Sequence, residues 1–134
     1  MANMMQFDLV SPERRLASGE ASEVQLPGSE GDMTAMADHA ATITTLRPGI
    51  VRVVGANGTQ EYLVTGGFAQ ITAAGTSVLA EHALPRDEVT QDFITDMMAQ
   101  ANEARERATN DVTDAAVKRV ADIAAVASEL GFNA

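Results

Sequence analysis

The sequence predicts an α+β protein in which an N-terminal all-β sandwich is followed by a C-terminal antiparallel two-helix hairpin. Residues 1–85 contain short strand-like runs separated by Gly, Pro and Asn-Gly turn signals at regular spacing, which is typical of a sandwich or barrel. Residues 86–134 instead repeat apolar residues at three- and four-residue steps, the period of an amphipathic helix. The change of period divides the chain into two predicted domains, 1–85 and 86–134.

Composition limits the kinds of protein and site that this chain can form. Of its 134 residues, 46% are hydrophobic but only 4% are aromatic, so the core must be built mainly from aliphatic side chains and Met. The chain has no cysteine, which excludes disulfides, thiolate metal sites and cysteine catalysis. Its net charge of −10 disfavours nucleic acid and anionic membrane surfaces as partners. No apolar run approaches the roughly 18 residues of a transmembrane helix and no secretory signal is evident, so a soluble cytoplasmic protein is expected.

Six strands are expected in the first part of the β region, each bounded by residues that favour turns. Pro27-Gly28 is expected to end the third strand, because proline cannot donate to a ladder and glycine favours turn geometry. Residues 28–39 are expected to form a loop. Asn57-Gly58 stands between two strand signals and is a strong hairpin cue. The predicted strands are Met5–Val10, Leu16–Gly19, Ala21–Leu26, Ala41–Leu46, Ile50–Val54 and Gln60–Thr65.

The β region is completed by the stretch Tyr62–Ala83, which has a turn at residues 73–75. Gly66-Gly67 lies between strand signals and is interpreted as a bulge or a close backbone approach. Because strand side chains alternate between faces, Val78 and its alternate neighbours are expected to lie opposite Leu79. Residues 84–86 are predicted to be a hinge to the helical region.

The helical region is expected to form two amphipathic helices in an antiparallel hairpin, separated by a polar break at residues 109–111. Asp87 and Asp111 are candidate N-caps or first-turn acids, and Gly131 is expected just past the second helix. Many predicted facing residues are alanines, which bury little apolar area, so a weakly held hairpin is expected. The predicted faces are Val89, Phe93, Met97, Ala101, Ala104 and Ala108 in the first helix and Val112, Ala116, Val120, Ile123, Ala127 and Leu130 in the second.

No arrangement of residues in the sequence predicts a catalytic, cofactor or metal site. His39 and His82 each follow an acid, but adjacent strand residues point to opposite faces, so neither pair is a preformed dyad. Asp32, Asp38 and His39 share a segment, yet their spacing matches no common metal-ligand pattern. The glycines lack the Lys-Ser/Thr of a phosphate-binding loop. An interaction protein is therefore favoured over an enzyme.

Three segments of the β region follow one another in an order that is specific, although each motif alone is weak. They are LVSPERRLASGEASEVQLPGSEGDMTAMADHA at 9–40, LRPGIVRV at 46–53 and LVTGGFAQITAAGTSVLAEHA at 63–83. Together they resemble the ε subunit of F-type ATP synthases, called δ in mitochondria. The match spans nearly the whole predicted sandwich, and the two-helix tail has the length and place found in that family.

The resemblance implies a non-catalytic rotor subunit of the central stalk, without a cofactor, at the cytoplasmic face of the inner membrane. Such a subunit joins the γ (gamma) subunit to the membrane c-ring and couples proton translocation to ATP synthesis. The other face of the sandwich and the hairpin resemble the family's γ-binding surface. The implied c-ring contacts are Ser29, Glu30, Gly31, Asp32 and Met33 in one segment and Asp38, His39 and Ala40 in a second.

The sequence departs from the family pattern in two places. Residues 34–42 (TAMADHAAT) lack the prolines and the glycine that the family has around its histidine, so a loop of different shape is expected. Residues 94–100 lack the arginine of the ATP-binding motif, so nucleotide binding is not expected.

The resemblance also implies contact between the second helix and the α/β catalytic head. Only Lys118 and Arg119 are basic in that helix, so weak or absent inhibition of ATP hydrolysis is expected. The sequence also leaves two alternatives open. One is an unrelated β-sandwich adaptor with a mobile helical arm, and the other is a hydrolase that uses His39 or His82.

Overall fold

The computed structural model describes residues 4–37, 40–56, 58–109 and 113–133. The chain divides into two compact units, Met1–Asp87 and Glu88–Ala134. The first unit is built from strands and the second from two helices. The predicted α+β class, with an N-terminal β-sandwich followed by two helices, is therefore confirmed.

The described part of the first unit contains ten strands: β1 Met5–Val10, β2 Arg15–Ala21, β3 Glu23–Gly28, β4 Gly31–Met36, β5 Thr42–Leu46, β6 Gly49–Gly55, β7 Gly58–Val64, β8 Gly67–Ile71, β9 Gly75–Ala80 and β10 Ala83–Pro85. Their order in the sheet is β10-β7-β6-β3-β5-β8-β9-β1-β2, with β4 paired to β3 outside this path. The pairing of β1 with β9 is parallel and the other pairings are antiparallel.

The core of the β unit is mainly aliphatic, with Phe7 and Tyr62 as its buried aromatic members. The period of two predicted for β9 is confirmed, because Val78 is buried at 1% exposure whereas Leu79 is 48% exposed. Every buried member of this core cluster lies between residues 5 and 83. The β unit therefore has a hydrophobic core of its own.

The prediction of a loop over residues 28–39 is wrong, because β4 lies within it. Gly28 pairs with Gly31 across the two-residue turn Ser29-Glu30, so β3 and β4 form a tight hairpin. Within β4 only Ala35 is fully buried, which left the sequence without a clear apolar alternation. The predicted end of β3 at Leu26 is also early, since Pro27 still contributes a carbonyl that accepts the Arg47 N–H at 2.9 Å.

The predicted hinge at residues 84–86 is largely part of the sheet. Ala83–Pro85 forms β10 and pairs antiparallel with the end of β7. Arg86 then begins a short 3-10 turn, and its guanidinium lies 2.9 Å from Glu61 Oε1. Strand pairing with β7 and the ion pair between Arg86 and Glu61 therefore hold this segment to the β unit. The sequence does not indicate a strand here, because Pro85 lies within it.

The close backbone approach predicted at Gly66-Gly67 is confirmed. Gly67 has a φ of +127°, and a Cβ placed there would lie 2.1 Å from the Leu79 carbonyl oxygen. Only glycine can adopt this positive φ easily and also fit where there is no room for a Cβ. The pair therefore allows β8 to begin directly against the end of β9.

The helical unit consists of α1 Gln91–Arg107 and α2 Thr113–Leu130, which contact each other. The cap of α1 is Thr90, whose hydroxyl accepts the Phe93 N–H at 3.1 Å, so the prediction of Asp87 is wrong. Asp111 lies outside the described residues. The predicted role of Gly131 is confirmed: its φ is +85°, and its own N–H and that of Phe132 bond back to Ser128 and Ala127.

The predicted helix faces are only partly correct. Ile94, Met97 and Ala101 are buried in α1, whereas Phe93 is half-buried and Ala104 is exposed. In α2 the buried residues are Ile123, Val126 and Ala127. The buried stripe of α1 therefore begins at Ile94 rather than at Phe93, and the predicted face residue Val112 lies outside the described residues. No helix in the described residues is both long and apolar enough to cross a membrane.

Candidate docking surfaces

One candidate surface is the turn that joins β3 and β4. We call Gly28–Met33 the tip. Glu30, Gly31 and Asp32 are exposed there, Ser29 is half-exposed, and Met33 packs partly against the core. The tip thus brings together the first group of predicted c-ring residues. From the second group, Ala40 is exposed, whereas Asp38 and His39 lie outside the described residues.

Hydrogen bonds connect the tip to β5 and to Arg47, the residue that follows β5. The Ser29 N–H donates to the Thr45 carbonyl at 2.9 Å, and the two hydroxyl oxygens of Ser29 and Thr45 are 2.7 Å apart. Arg47 donates from Nη1 to the Gly28 carbonyl and from Nη2 to Asp32 Oδ1. Both faces of the turn are therefore anchored to the same neighbouring chain segment.

A second candidate surface lies on the outward side of β5, β8 and β9. Ile43, Phe68 and Leu79 are 72%, 44% and 48% exposed, and we call these three residues the apolar face. Phe68 pairs directly with Leu79, and Thr45, two residues after Ile43, pairs with Phe68. Single exposed apolar residues are ordinary, but neighbouring ones in one sheet mark a surface for another protein.

The tip and the apolar face adjoin each other through Thr45. Thr45 stands opposite Phe68 in the ladder and also accepts the Ser29 N–H. A partner on the apolar face and a partner on the tip would therefore contact neighbouring parts of one hydrogen-bonded sheet.

Sequence reasoning did not identify the apolar face. The signal was present in β9, where Leu79 was assigned to the side opposite Val78. Because both sides of that strand carry apolar residues, the alternation did not reveal which side faces solvent. Arg47 was missed as well, because its two acceptors lie 15 and 19 residues away in sequence.

The predicted head contacts lie on α2. Lys118 is exposed, and its Nζ is 2.8 Å from Asp122 Oδ2 one turn further along the helix. Arg119 is half-buried. The Lys118 charge is thus engaged within its own helix, which reduces what it can offer to an acidic partner.

A cavity of about 380 Å³ opens between β1, β2 and the β6–β7 hairpin. Its floor includes Phe7, Val53 and Tyr62, and Glu20 is its one charged member among the described lining residues. The Tyr62 hydroxyl donates to Gln60 Oε1 at 2.7 Å, and burial raises the pKa of this phenol above its ordinary value.

The geometry of the described residues offers little for catalysis or metal binding. No group of three or more His, Asp or Glu side chains among them could hold a metal ion. His82 Nδ1 lies 3.9 Å from Glu13 Oε1, and both side chains are largely exposed to solvent. What the structure presents are surfaces that suit other proteins.

Known proteins share both the sequence and the fold. Residues 4–86 match the family described as ATP synthase, Delta/Epsilon chain, beta-sandwich domain. The ATP synthase epsilon chain of Fuscovulum blasticum is 54% identical over 98% of this chain and 100% of its own length. The ATP synthase epsilon chain of Rhodobacter capsulatus is 55% identical, again over 98% of this chain and its own full length.

Two solved structures show the likeness of fold. A chain of the Euglena gracilis mitochondrial ATP synthase (OSCP/F1/c-ring) aligns with a TM-score of 0.71 at 19% identity, over 94% of this chain and 80% of that one. A chain of the Tetrahymena thermophila mitochondrial ATP synthase (central stalk/c-ring) aligns with a TM-score of 0.67 at 17% identity, over 93% and 94%.

The fold and its exposed surfaces are those of a subunit that acts by binding other proteins. The chain belongs to the family of ATP synthase epsilon chains. Members of this family are non-catalytic stalk subunits, so the prediction that the chain is not itself an enzyme is confirmed, and so is the resemblance. The unrelated adaptor and the hydrolase are thereby excluded.

Proposed function

We propose that this chain joins the γ subunit to the c-ring in the rotor and so couples proton translocation to ATP synthesis. The observation that carries the proposal is the contiguity of the two docking surfaces, which meet at Thr45. An exposed acidic turn and an exposed apolar face suit two chemically different partners. Attachment to the ring would hold the chain at the cytoplasmic face of the inner membrane as a peripheral protein.

The tip is the proposed c-ring contact. Glu30 and Asp32 place two carboxylates at an anchored turn, and these complement polar loops that carry basic and amide side chains. Ser29, Gly31 and Ala40 add exposed or half-exposed atoms, while Met33 contributes mainly to the fold. Asp38 and His39 belong to the proposal through the resemblance alone.

The apolar face is the proposed γ contact. Burying a fully exposed large aliphatic or aromatic side chain is worth roughly 1.5–3 kcal/mol, so burial of three partly exposed ones would favour binding of a partner at this face. The residues sit on β5, β8 and β9, whose ladders connect them directly. Torque applied at this face would therefore reach the tip through hydrogen-bonded strands rather than through a flexible loop.

The helical unit is proposed to inhibit ATP hydrolysis weakly or not at all. Inhibition through Lys118 and Arg119 would require free positive charge, but Lys118 is paired with Asp122. Residues 94–100 offer no arginine for a nucleotide phosphate, so we propose no ATP binding. Contact with the α/β head would then be transient.

Binding of the purified full-length chain to a γ subunit and to a detergent-solubilised c-ring tests this proposal. The double variant F68D/L79D should lose γ binding because it places two charges where desolvation is required. The double variant E30Q/D32N should instead lose c-ring binding and keep γ binding. T59D, at an exposed position near the start of β7, is the matched control and should bind both partners. Failure of the unmodified chain to bind either partner would refute the proposed role.

A further inference from the structure

The guanidinium of Arg47 connects the two ends of the β3–β4 turn. Nη1 donates to the Gly28 carbonyl just before the turn, and Nη2 donates to Asp32 Oδ1 just after it. The backbone N–H of the same residue donates to the Pro27 carbonyl at 2.9 Å. One residue thus contacts the tip on both of its strands.

This arrangement uses a property that arginine alone has among the basic side chains. Its guanidinium is planar and presents donors in a fixed fork, whereas lysine presents a single ammonium on a flexible stem. The two acceptors here differ in kind, one being a backbone carbonyl and the other a carboxylate. A fork that bonds both fixes the carboxylate in relation to the backbone of the turn.

The Asp32 carboxylate stays accessible while it is held. The Asp32 side chain is 82% exposed, and that of Arg47 is 25% exposed. An exposed ion pair alone contributes little to stability. The ion pair with Arg47 instead fixes the orientation of the exposed Asp32 carboxylate before a partner binds.

Confinement is needed because the tip has few other supports. In the described residues β4 pairs with β3 only, and its sole fully buried residue, Ala35, lies three positions beyond Asp32. Apart from Arg47 and its pairing with β3, the turn is held to β5 by the contacts between Ser29 and Thr45 and by the pairing of Gly28 with Leu46. A loose turn would lose conformational entropy on docking, and that loss would weaken binding.

We propose that Arg47 is a positioning residue for c-ring docking: it presets the tip so that Glu30 and Asp32 meet the ring in one orientation. The proposal rests on the assignment of the tip as the c-ring contact. Arg47 acts through the tip and needs no contact with the ring itself.

The test compares the full-length chain with R47A, R47K and a matched control, R52A, which removes the same charge from an exposed position on β6. Hydrogen exchange of the Ser29 amide reports on the order of the tip, and affinity for a purified c-ring reports on docking. We expect R47A to speed Ser29 exchange and weaken ring binding, each by about tenfold, since charge-assisted hydrogen bonds are lost. R47K should recover only part of both effects, and R52A should change neither.

Affinity for γ separates positioning from general destabilisation, because the apolar face does not contain Arg47. R47A should bind γ as the unmodified chain does. Unchanged Ser29 exchange, unchanged ring affinity or an equal loss of γ binding in R47A would each overturn the inference. Full rescue by R47K would do so as well, because it would mean that charge alone suffices.

The variant E30Q/D32N distinguishes failure of this inference from failure of the proposed function. If that variant docks to the ring normally, the tip is not the contact and the proposed function fails in that respect. If it does not dock while R47A docks normally, the tip is the contact and only the positioning role is wrong.

Discussion

The side-chain amide of Gln91 makes two reciprocal hydrogen bonds with the backbone of Asn133. Gln91 Nε2 donates to the Asn133 carbonyl at 2.6 Å, and the Asn133 N–H donates to Gln91 Oε1 at 3.1 Å. Gln91 is the first residue of α1, and Asn133 lies just beyond the end of α2. The two bonds therefore join the first residue of α1 to the chain just after α2. Both residues are exposed, so water competes for each bond.

Replacing Gln91 with alanine should loosen this end of the hairpin. Each hydrogen bond contributes roughly 0.5–1.5 kcal/mol, so loss of both should lower the local opening free energy by about 1–3 kcal/mol. Hydrogen exchange of the Asn133 amide should be faster in Q91A by about tenfold. Q100A, an exposed glutamine of the same helix, is the control and should leave that amide unchanged. Equal exchange in Q91A and the unmodified chain would contradict the prediction.

Replacing Gly67 with alanine should destabilise the β unit severely. A Cβ at this position would lie 2.1 Å from the Leu79 carbonyl oxygen and 2.8 Å from the Ala80 Cα, where no side chain can move aside. Gly58 has a similar φ of +123°, but nothing lies within 4 Å of a Cβ placed there. G58A therefore measures the backbone strain alone, which should cost about 1–3 kcal/mol. G67A should cost clearly more in chemical denaturation, and equal losses would show that the close approach does not matter.

The sequence was sufficient for the features that depend on local periodicity and turn chemistry. β1 has its predicted bounds, Gly67 has the predicted close contact and Gly131 ends α2 as expected. β4 was missed because backbone pairing with β3, rather than buried side chains, defines it. β10 was missed because residues 84–86 are predicted to be a hinge, although a sheet edge tolerates proline.

Residues of the two candidate surfaces could be grouped from the sequence only where residues that contact each other are also close in sequence. Residues 29–33 are expected as a contact group only through the family resemblance, and the structure brings these consecutive residues together at one turn. The apolar face is assembled from three strands, and the Arg47 side chain, between β5 and β6, bonds to the turn between β3 and β4. Such contacts depend on how the strands pair, and the alternation in a single strand does not define that pairing.

Stability should fall at alkaline pH in a way that depends on Tyr62. Burial raises the pKa of the Tyr62 phenol, so the unfolded chain loses this proton at a lower pH than the folded chain. The contribution of the group is complete below its unfolded pKa of about 10 and is lost as the pH rises through the folded pKa. Urea unfolding should therefore show lower stability at about pH 11 than at about pH 9, and Y62F should show a smaller decrease.

Tyr62 is the one tyrosine in the chain, so the tyrosinate absorbance reports its titration directly. The midpoint in the folded protein should lie above that of the same chain in denaturant. A folded midpoint at or below the denatured one would show that water reaches the phenol freely and would contradict the assigned burial.

Removal of the helical unit should leave ATP hydrolysis by the reconstituted catalytic head nearly unchanged. The β unit keeps its own core without residues 88–134, so the truncated chain should fold and still bind γ. Helix α2 carries Lys118 and Arg119 against Asp114, Asp122 and Glu129, and Lys118 is already paired. A helix with this balance has little attraction for an acidic loop on the head. Steady-state hydrolysis should change by less than about twofold, within the weak effect of exposed ion pairs.

The matched control is K118A/R119A in the full chain, and it should also leave the rate of ATP hydrolysis unchanged. A several-fold rise in hydrolysis after truncation, with no rise in K118A/R119A, would mean that the helices inhibit through contacts other than these two charges.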